Sequence, residues 1–240
     1  MKTSYLFLAP ALWLAACASS TTPTATPMPT PDELLDRAAQ AVATWSSAQF
    51  ALVREGTPAV LDPATNSTFS EAVGQYQAPD RVSATVKVSV GTTVLQIQML
   101  WLPEGNFVTN PLTQLWTAAP PDSALNGAAL FGPAGIARVL RDSIQNVMLV
   151  GAGEAGLSGD QPFTEIVEGQ QTYHLKGEAD GEALALLTAG GLTAGTSYPM
   201  DVWMETATAN IVRVRITEPD GNGWRIDVFA INEPVVIEAP

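Results

Sequence analysis

The sequence predicts an α+β fold: one large, one-sided antiparallel sheet with a few helices packed against its apolar face. Two observations carry this. Apolar and polar residues alternate with a period of two along segment after segment, most clearly over 82–90, 95–101, 201–205, 212–216 and 224–230. Only three stretches, near 31–46, 133–142 and 180–189, have the three- and four-residue apolar spacing of a helix.

The chain opens with a targeting segment. Met1-Lys2 is a short basic start, and Tyr5 to Leu14 is an apolar run broken only by Pro10. That run is too short to span a bilayer, which takes about 20 residues, and it fits the apolar stretch of a signal peptide over 1–16. It ends in Leu14-Ala15-Ala16-Cys17, which resembles the lipobox of bacterial lipoproteins. Small residues at 15 and 16 suit the peptidase, and the Cys17 thiol is the sulfur that carries diacylglycerol. The chain has 1 cysteine, and it stands at this place, so no internal disulfide and no cysteine-based metal site is possible. The expectation is cleavage before Cys17 and attachment through it to the extracytoplasmic face of the cell membrane. One acyl chain binds a membrane only marginally, whereas two hold it stably. Residues 17–30, rich in Thr and Pro, form a linker that cannot pack a core and favours extended conformations. The folded domain is expected over 31–240.

The elements follow in order. Thr30 as N-cap, Pro31 at the first helical position and Glu33 as capping-box partner start a helix sharply. Its stripe is Leu34, Leu35, Ala38, Ala41, Val42 and Trp45. Strands are expected at 48–55 and 68–77. Val82, Ala84, Val86, Val88 and Val90 then alternate with polar residues, turn at Gly91-Thr92, and return as Leu95, Ile97, Met99 and Trp101. Further strands are expected at 105–109, 144–151, 164–168 and 171–178. Ile136, Val139 and Leu140 mark a second helix. Ala183, Leu184, Leu186 and Leu187 mark a third, with Asp180 as N-cap and Gly190-Gly191 as its stop. The last third reads as a three-strand meander, Val202/Met204, Val212/Val214/Ile216 and Trp224/Ile226/Val228/Ala230, with Asn210 and 219–223 supplying the turns. The glycine-rich stretch 187–197 fits a mobile rim or a plain loop equally.

Charge and motifs exclude several classes of function. Net charge is −13, which argues against nucleic acid and against adsorption to anionic headgroups. Charged residues are only 15% and apolar residues 46%, so a sizeable core can be buried. The chain has 1 histidine, His174, on a strand face with Thr172 and Lys176; a lone histidine is ordinarily a core or surface residue. It has no second histidine or cysteine to complete a zinc site and no G-x-S-x-G turn to complete a triad. Gly151 to Gly156 matches G-x-G-x-x-G but lacks a strand–helix context and reads as a loop. No catalytic residue, cofactor or metal is called for.

From Thr30 to Pro240 the chain resembles the LppX/LprG family of bacterial lipoproteins. The carrying segments are Asp32-Glu33-Leu34-Leu35 through Trp45-Ser46-Ser47, the hairpin 80–101, and Trp116. After these come Val167 to Gly177, Pro199 to Glu205 with Val202-Trp203, Val212-Arg213-Val214-Arg215, and Ile231-Asn232-Glu233-Pro234-Val235. The resemblance implies a LolA/LolB-like half-barrel: a curved sheet wrapped around helices, with an apolar cavity between them. It implies acylated lipid or glycolipid as ligand, transport of that ligand across the cell envelope, and an envelope transporter as a further partner. Strand parity selects the candidate lining: Val86, Val88, Leu95, Ile97, Met99, Val202, Met204, Val214, Ile226 and Val228, whose side chains share one side of the sheet. The same alternation describes a filled core. A sensor or structural module that binds a protein partner on this scaffold therefore stays open beside the carrier.

Overall fold

The computed structural model describes residues 29–119, 127–131, 135–150, 164–188 and 190–240. The signal peptide, Cys17, all but the end of the linker, and the glycine-rich segment at 151–156 lie outside these residues. Helix α1 spans Pro31–Ala43. The Thr30 hydroxyl accepts from the Glu33 amide, and the Glu33 carboxylate accepts from the Thr30 amide, which satisfies two of the unpaired donors of the first turn. Leu34, Leu35, Ala38, Ala39 and Val42 are buried. The expected helix ran to 46. It stops earlier because the Thr44 hydroxyl bonds back to the Ala41 carbonyl, and the Trp45 indole N–H reaches Asn210 Oδ1 at 2.9 Å. The chain turns there into the sheet.

Thirteen strands form a single sheet among the described residues: β1 Ser47–Glu55, β2 Ala59–Asp62, β3 Ser67–Gln77, β4 Arg81–Val90, β5 Thr93–Leu102, β6 Gly105–Thr109, β7 Trp116–Ala118, β8 Gln145–Leu149, β9 Glu165–Val167, β10 Gln170–Asp180, β11 Ser197–Glu205, β12 Ile211–Thr217 and β13 Gly223–Phe229. The order is β7-β6-β5-β4-β3-β1-β13-β12-β11-β10-β8, with β2 on β3 and β9 on β10. The sheet is open, ending at β7 and β8. The pairing of β1 with β13 joins the two halves, and every pairing is antiparallel.

The register aligns one apolar row across nine strands: Ile97, Val86, Ala72, Leu52, Ile226, Val214, Val202, Leu175 and Leu149, each opposite the next. Because side chains alternate with a period of two, registered partners face the same side. Residues of this face from β4 at one flank to β8 at the other join α1 in one core cluster, so the sheet curves around the helices. Opposite them, the convex face carries an ion-pair ladder. Glu168, Arg213, Asp227, Arg225, Glu55 and Arg215 are linked in sequence at 2.5–3.2 Å. Burial opposes the charge on Arg213, yet Asp227 and Glu168 overcome it and raise its pKa.

Antiparallel pairing also divides the loops between two ends. The turns at 63–66, 91–92, 110–115 and 218–222 and the segment 181–196 lie at one, here called upper. Those at 78–80, 103–104, 168–169 and 206–210 lie at the lower end.

The remaining helices are short. Helix α2 covers Gly127–Phe131 and α3 covers Ile136–Arg138, running into a π-helical turn at Val139–Ser143. Helix α4 covers Gly181–Leu184 and continues as a 3-10 turn at Ala185–Leu187. The helices expected at 133–142 and 180–189 thus wind without a gap over 136–143 and 181–187 but change type within, and Ile136, Val139, Leu140, Leu184 and Leu187 are buried as their spacing requires. Asp180 caps α4 as expected, its carboxylate accepting from the Glu182 amide. The Thr188 hydroxyl bonds the Leu184 carbonyl and the Gly190 amide bonds Ala185, which stops regular winding. Strands β2 and β7 and helix α2 were not anticipated; each has five residues or fewer, too short for a period to register.

Candidate functional site

The concave face meets the short helices at an apolar cavity. Its walls are Phe50, Leu52, Ala72, Ala84, Val86 and Trp101 from the sheet, and Gly127, Leu130, Leu186 and Leu187 from the helices. Its volume is about 40 Å³, little more than one water's share of the liquid. Phe131 plugs the lower side, stacked on Tyr76 with ring centroids 4.7 Å apart and tilted against Phe50 at 5.2 Å. Gly127 lies against Trp101: a Cβ there would stand 2.7 Å from the indole, so α2 seats flush on the sheet only with glycine at that position.

Leu186 lines a second space as well. This is a groove of about 370 Å³ between the α3–π turn and α4, bounded by Arg138, Val139, Ser143, Asp180, Glu182 and Ala183. The apolar cavity and this half-polar groove thus share one leucine wall, and Leu186 is 43% exposed.

Among the expected lining residues, Val86 faces the cavity. Val88 and Met99 are buried on the same face of β4 and β5, and Leu95 and Ile97 are half-buried toward the upper end. Val202, Met204, Val214, Ile226 and Val228 are buried in the core cluster on β11–β13. All ten lie on the concave side of the register. The walls Phe50, Leu52, Ala72 and Ala84 share the parity of Val86. Of these, Phe50, Leu52 and Ala72 were hidden because Ala51, Val53 and Val73 are apolar on the outer face and blur the alternation of β1 and β3.

His174 lies outside the cavity, on the convex face opposite Trp203. Its Nδ1 stands 3.0 Å from Glu165 Oε1 and its Nε2 2.7 Å from Asp201 Oδ1. The ring stacks on Trp203 at 4.2 Å, and the Trp203 indole N–H donates to Glu165 Oε2. Burial pushes the Glu165 carboxyl up, but the Trp203 and His174 hydrogen bonds outweigh it and hold the group below its usual range. With both ring nitrogens committed to carboxylates, His174 ties β9, β10 and β11 together; it is built as a strut.

At the upper end Arg54 points inward, paired with Glu218 and lying over the Trp224 ring at 5.1 Å. The Trp224 indole also donates to Glu218. Among the described residues no buried side-chain polar atom lacks a partner, and no cluster of His, Cys, Asp and Glu could hold a metal ion. No helix among them is long and apolar enough to cross a membrane.

Comparison with known proteins supplies the remaining findings. Residues 30–237 match the model of the LppX_LprAFG lipoprotein family. No curated protein matches the sequence significantly. The crystal structure of LprF from Mycobacterium bovis overlaps with a TM-score of 0.69 at 16% identity, covering 89% of this chain and 98% of that one. The lipoprotein LppX from Mycobacterium tuberculosis overlaps with a TM-score of 0.59 at 16% identity, covering 87% and 98%. At that identity the two structures establish a shared fold.

Proposed function

The chain belongs to the LppX_LprAFG lipoprotein family, and from that premise we propose that it is a membrane-anchored extracytoplasmic lipoprotein that binds acylated lipid or glycolipid and takes part in its transport across the cell envelope. Cys17 carries the anchor and 17–30 the tether. The acyl chain enters between the concave sheet face and the short helices. One observation carries the reading: an apolar cavity and a groove with four polar side chains, Arg138, Ser143, Asp180 and Glu182, share the Leu186 wall. An amphiphile needs both, a dry place for its chain and a wet one for its head. Arg138, Ser143, Asp180 and Glu182 surround the place for the head.

A cavity of about 40 Å³ is far too small for an acyl chain, so uptake requires α2 and the 181–187 segment to move off the sheet. Both are short, and the contacts that their buried side chains Leu130, Phe131, Leu184 and Leu187 give up on moving are ones the acyl chain replaces. Val86→Trp tests this. In a filled core such overpacking costs about 1–3 kcal/mol. A carrier accommodates the ring by displacing the helices, so its melting temperature changes little and co-purifying lipid falls.

A second reading, a packed module that binds a protein partner, is favoured by the Phe131 plug, which nearly fills the interior. It predicts the full strain for Val86→Trp and no bound lipid in either form.

A further inference from the structure

The upper end of the sheet carries three neighbouring tips, 56–66, 90–94 and 110–116, whose strands are adjacent in the order β7-β6-β5-β4-β3-β2. Their large aliphatic side chains stand in water. Leu112 is 87% exposed, Leu115 67%, Val94 61% and Val60 59%, with Val90 beside them. Scattered exposed aliphatics need no explanation, but five gathered on three neighbouring tips at one end of the sheet do. We propose that this rim docks into the interfacial layer of a lipid bilayer with a net-neutral surface. The proposal rests on the reading of Cys17 as the anchor.

Three further features fit this occupant. The tips hold one charged residue, Asp62, in a chain of net charge −13, and no Lys or Arg. Asp62 is engaged locally by the Ala64 amide and the Thr65 hydroxyl. The 110–115 loop is held in shape by hydrogen bonds of its own. The amides of Leu112 and Thr113 donate to Asn110 Oδ1, the Gln114 amide donates to the Asn110 carbonyl, and the Asn110 amide donates to the Leu115 carbonyl. These bonds preform the loop from which the two leucines project.

The tether also reaches. Asp36, in the second turn of α1, faces Arg141 in the turn that feeds β8 at the upper end. The linker therefore joins α1 at the same end of the sheet as the rim, on the opposite flank. Twelve extended residues from 18 to 29 span roughly 40 Å at about 3.1 Å each, so the rim can rest on the membrane that holds the anchor.

The test uses the full lipidated chain in phosphatidylcholine vesicles. With Cys17 acylated, a fluorophore is placed on Leu112→Cys, Val94→Cys or Ile166→Cys. Ile166 is 79% exposed but lies on β9, beside the lower end. Docking predicts blue-shifted emission at 112 and 94, with most of it lost to brominated lipid chains, and neither effect at 166. Equal, water-like emission at all three sites would overturn the proposal. So would a blue shift at 112 that follows protein density and ignores brominated lipid, since a second copy would then cover the rim. Lipid uptake is not read here: quenching at the rim without bound lipid would keep the docking and remove the carrier, and bound lipid without quenching the reverse.

Discussion

Both nitrogens of His174 are occupied by carboxylates, so replacing the ring leaves Glu165 and Asp201 without the group that joins them. His174→Gln should therefore cost about 1–3 kcal/mol of stability while leaving membrane attachment intact, as read by chemical denaturation and fractionation. Unchanged stability would contradict the strut. The pH dependence follows from Glu165, whose carboxyl is held below its ordinary value of 4.5. A depressed carboxylate stabilises fully above that value, and the contribution is lost as pH falls through the lower folded-state pKa. Glu165→Gln should flatten the acid limb of the stability curve. At the other end of the chain, Cys17→Ala should release the protein from the membrane fraction or leave it uncleaved. A mature, cleaved form that stays bound would remove the anchor reading. The sequence located His174 on a strand but not its partners, because Glu165 and Asp201 approach it through strand pairing, which leaves no trace in local spacing.

Elements whose signals are local were the legible ones. The start of α1 was readable because Thr30, Pro31 and Glu33 sit within one turn, and each does what its position predicts. The hairpin 81–102 was readable because β4 alternates cleanly and Gly91, at φ +59°, supplies the turn. The changes from α to π or 3-10 winding in the later helices leave no mark in the apolar spacing. Nor does the close packing ahead of α3, where a Cβ on Gly135 would stand 2.1 Å from the Leu130 carbonyl oxygen. Gly74 makes the same point within a strand. A Cβ there would stand 2.4 Å from the Ser83 carbonyl oxygen and 2.7 Å from the Phe50 ring. Gly74→Ala must either spread β3 from β4 or drive Phe50 into Phe131. The expected loss lies at the top of the overpacking range of about 1–3 kcal/mol, measured by thermal melting; a neutral effect would mean that the aromatic plug is looser than described.

At the scale of the whole molecule, the one-sided sheet and its enclosed helices were legible as a class. The closure that makes the cavity was not: β1 pairs with β13 across most of the chain, and no local pattern announces that register. The nine-strand apolar row exists only because of it. That row gives the molecule a continuous dry surface, and the short helices cover part of it. The central claim is that this surface holds a lipid that is not covalently attached. Native mass spectrometry of the mature lipoprotein, released gently from membranes, separates that lipid from the acyl groups on Cys17, because only the former leaves on denaturation. The account predicts a discrete adduct of lipid mass that disappears when the protein unfolds and is reduced in Val86→Trp. A native mass equal to the denatured mass, across preparations, would contradict it.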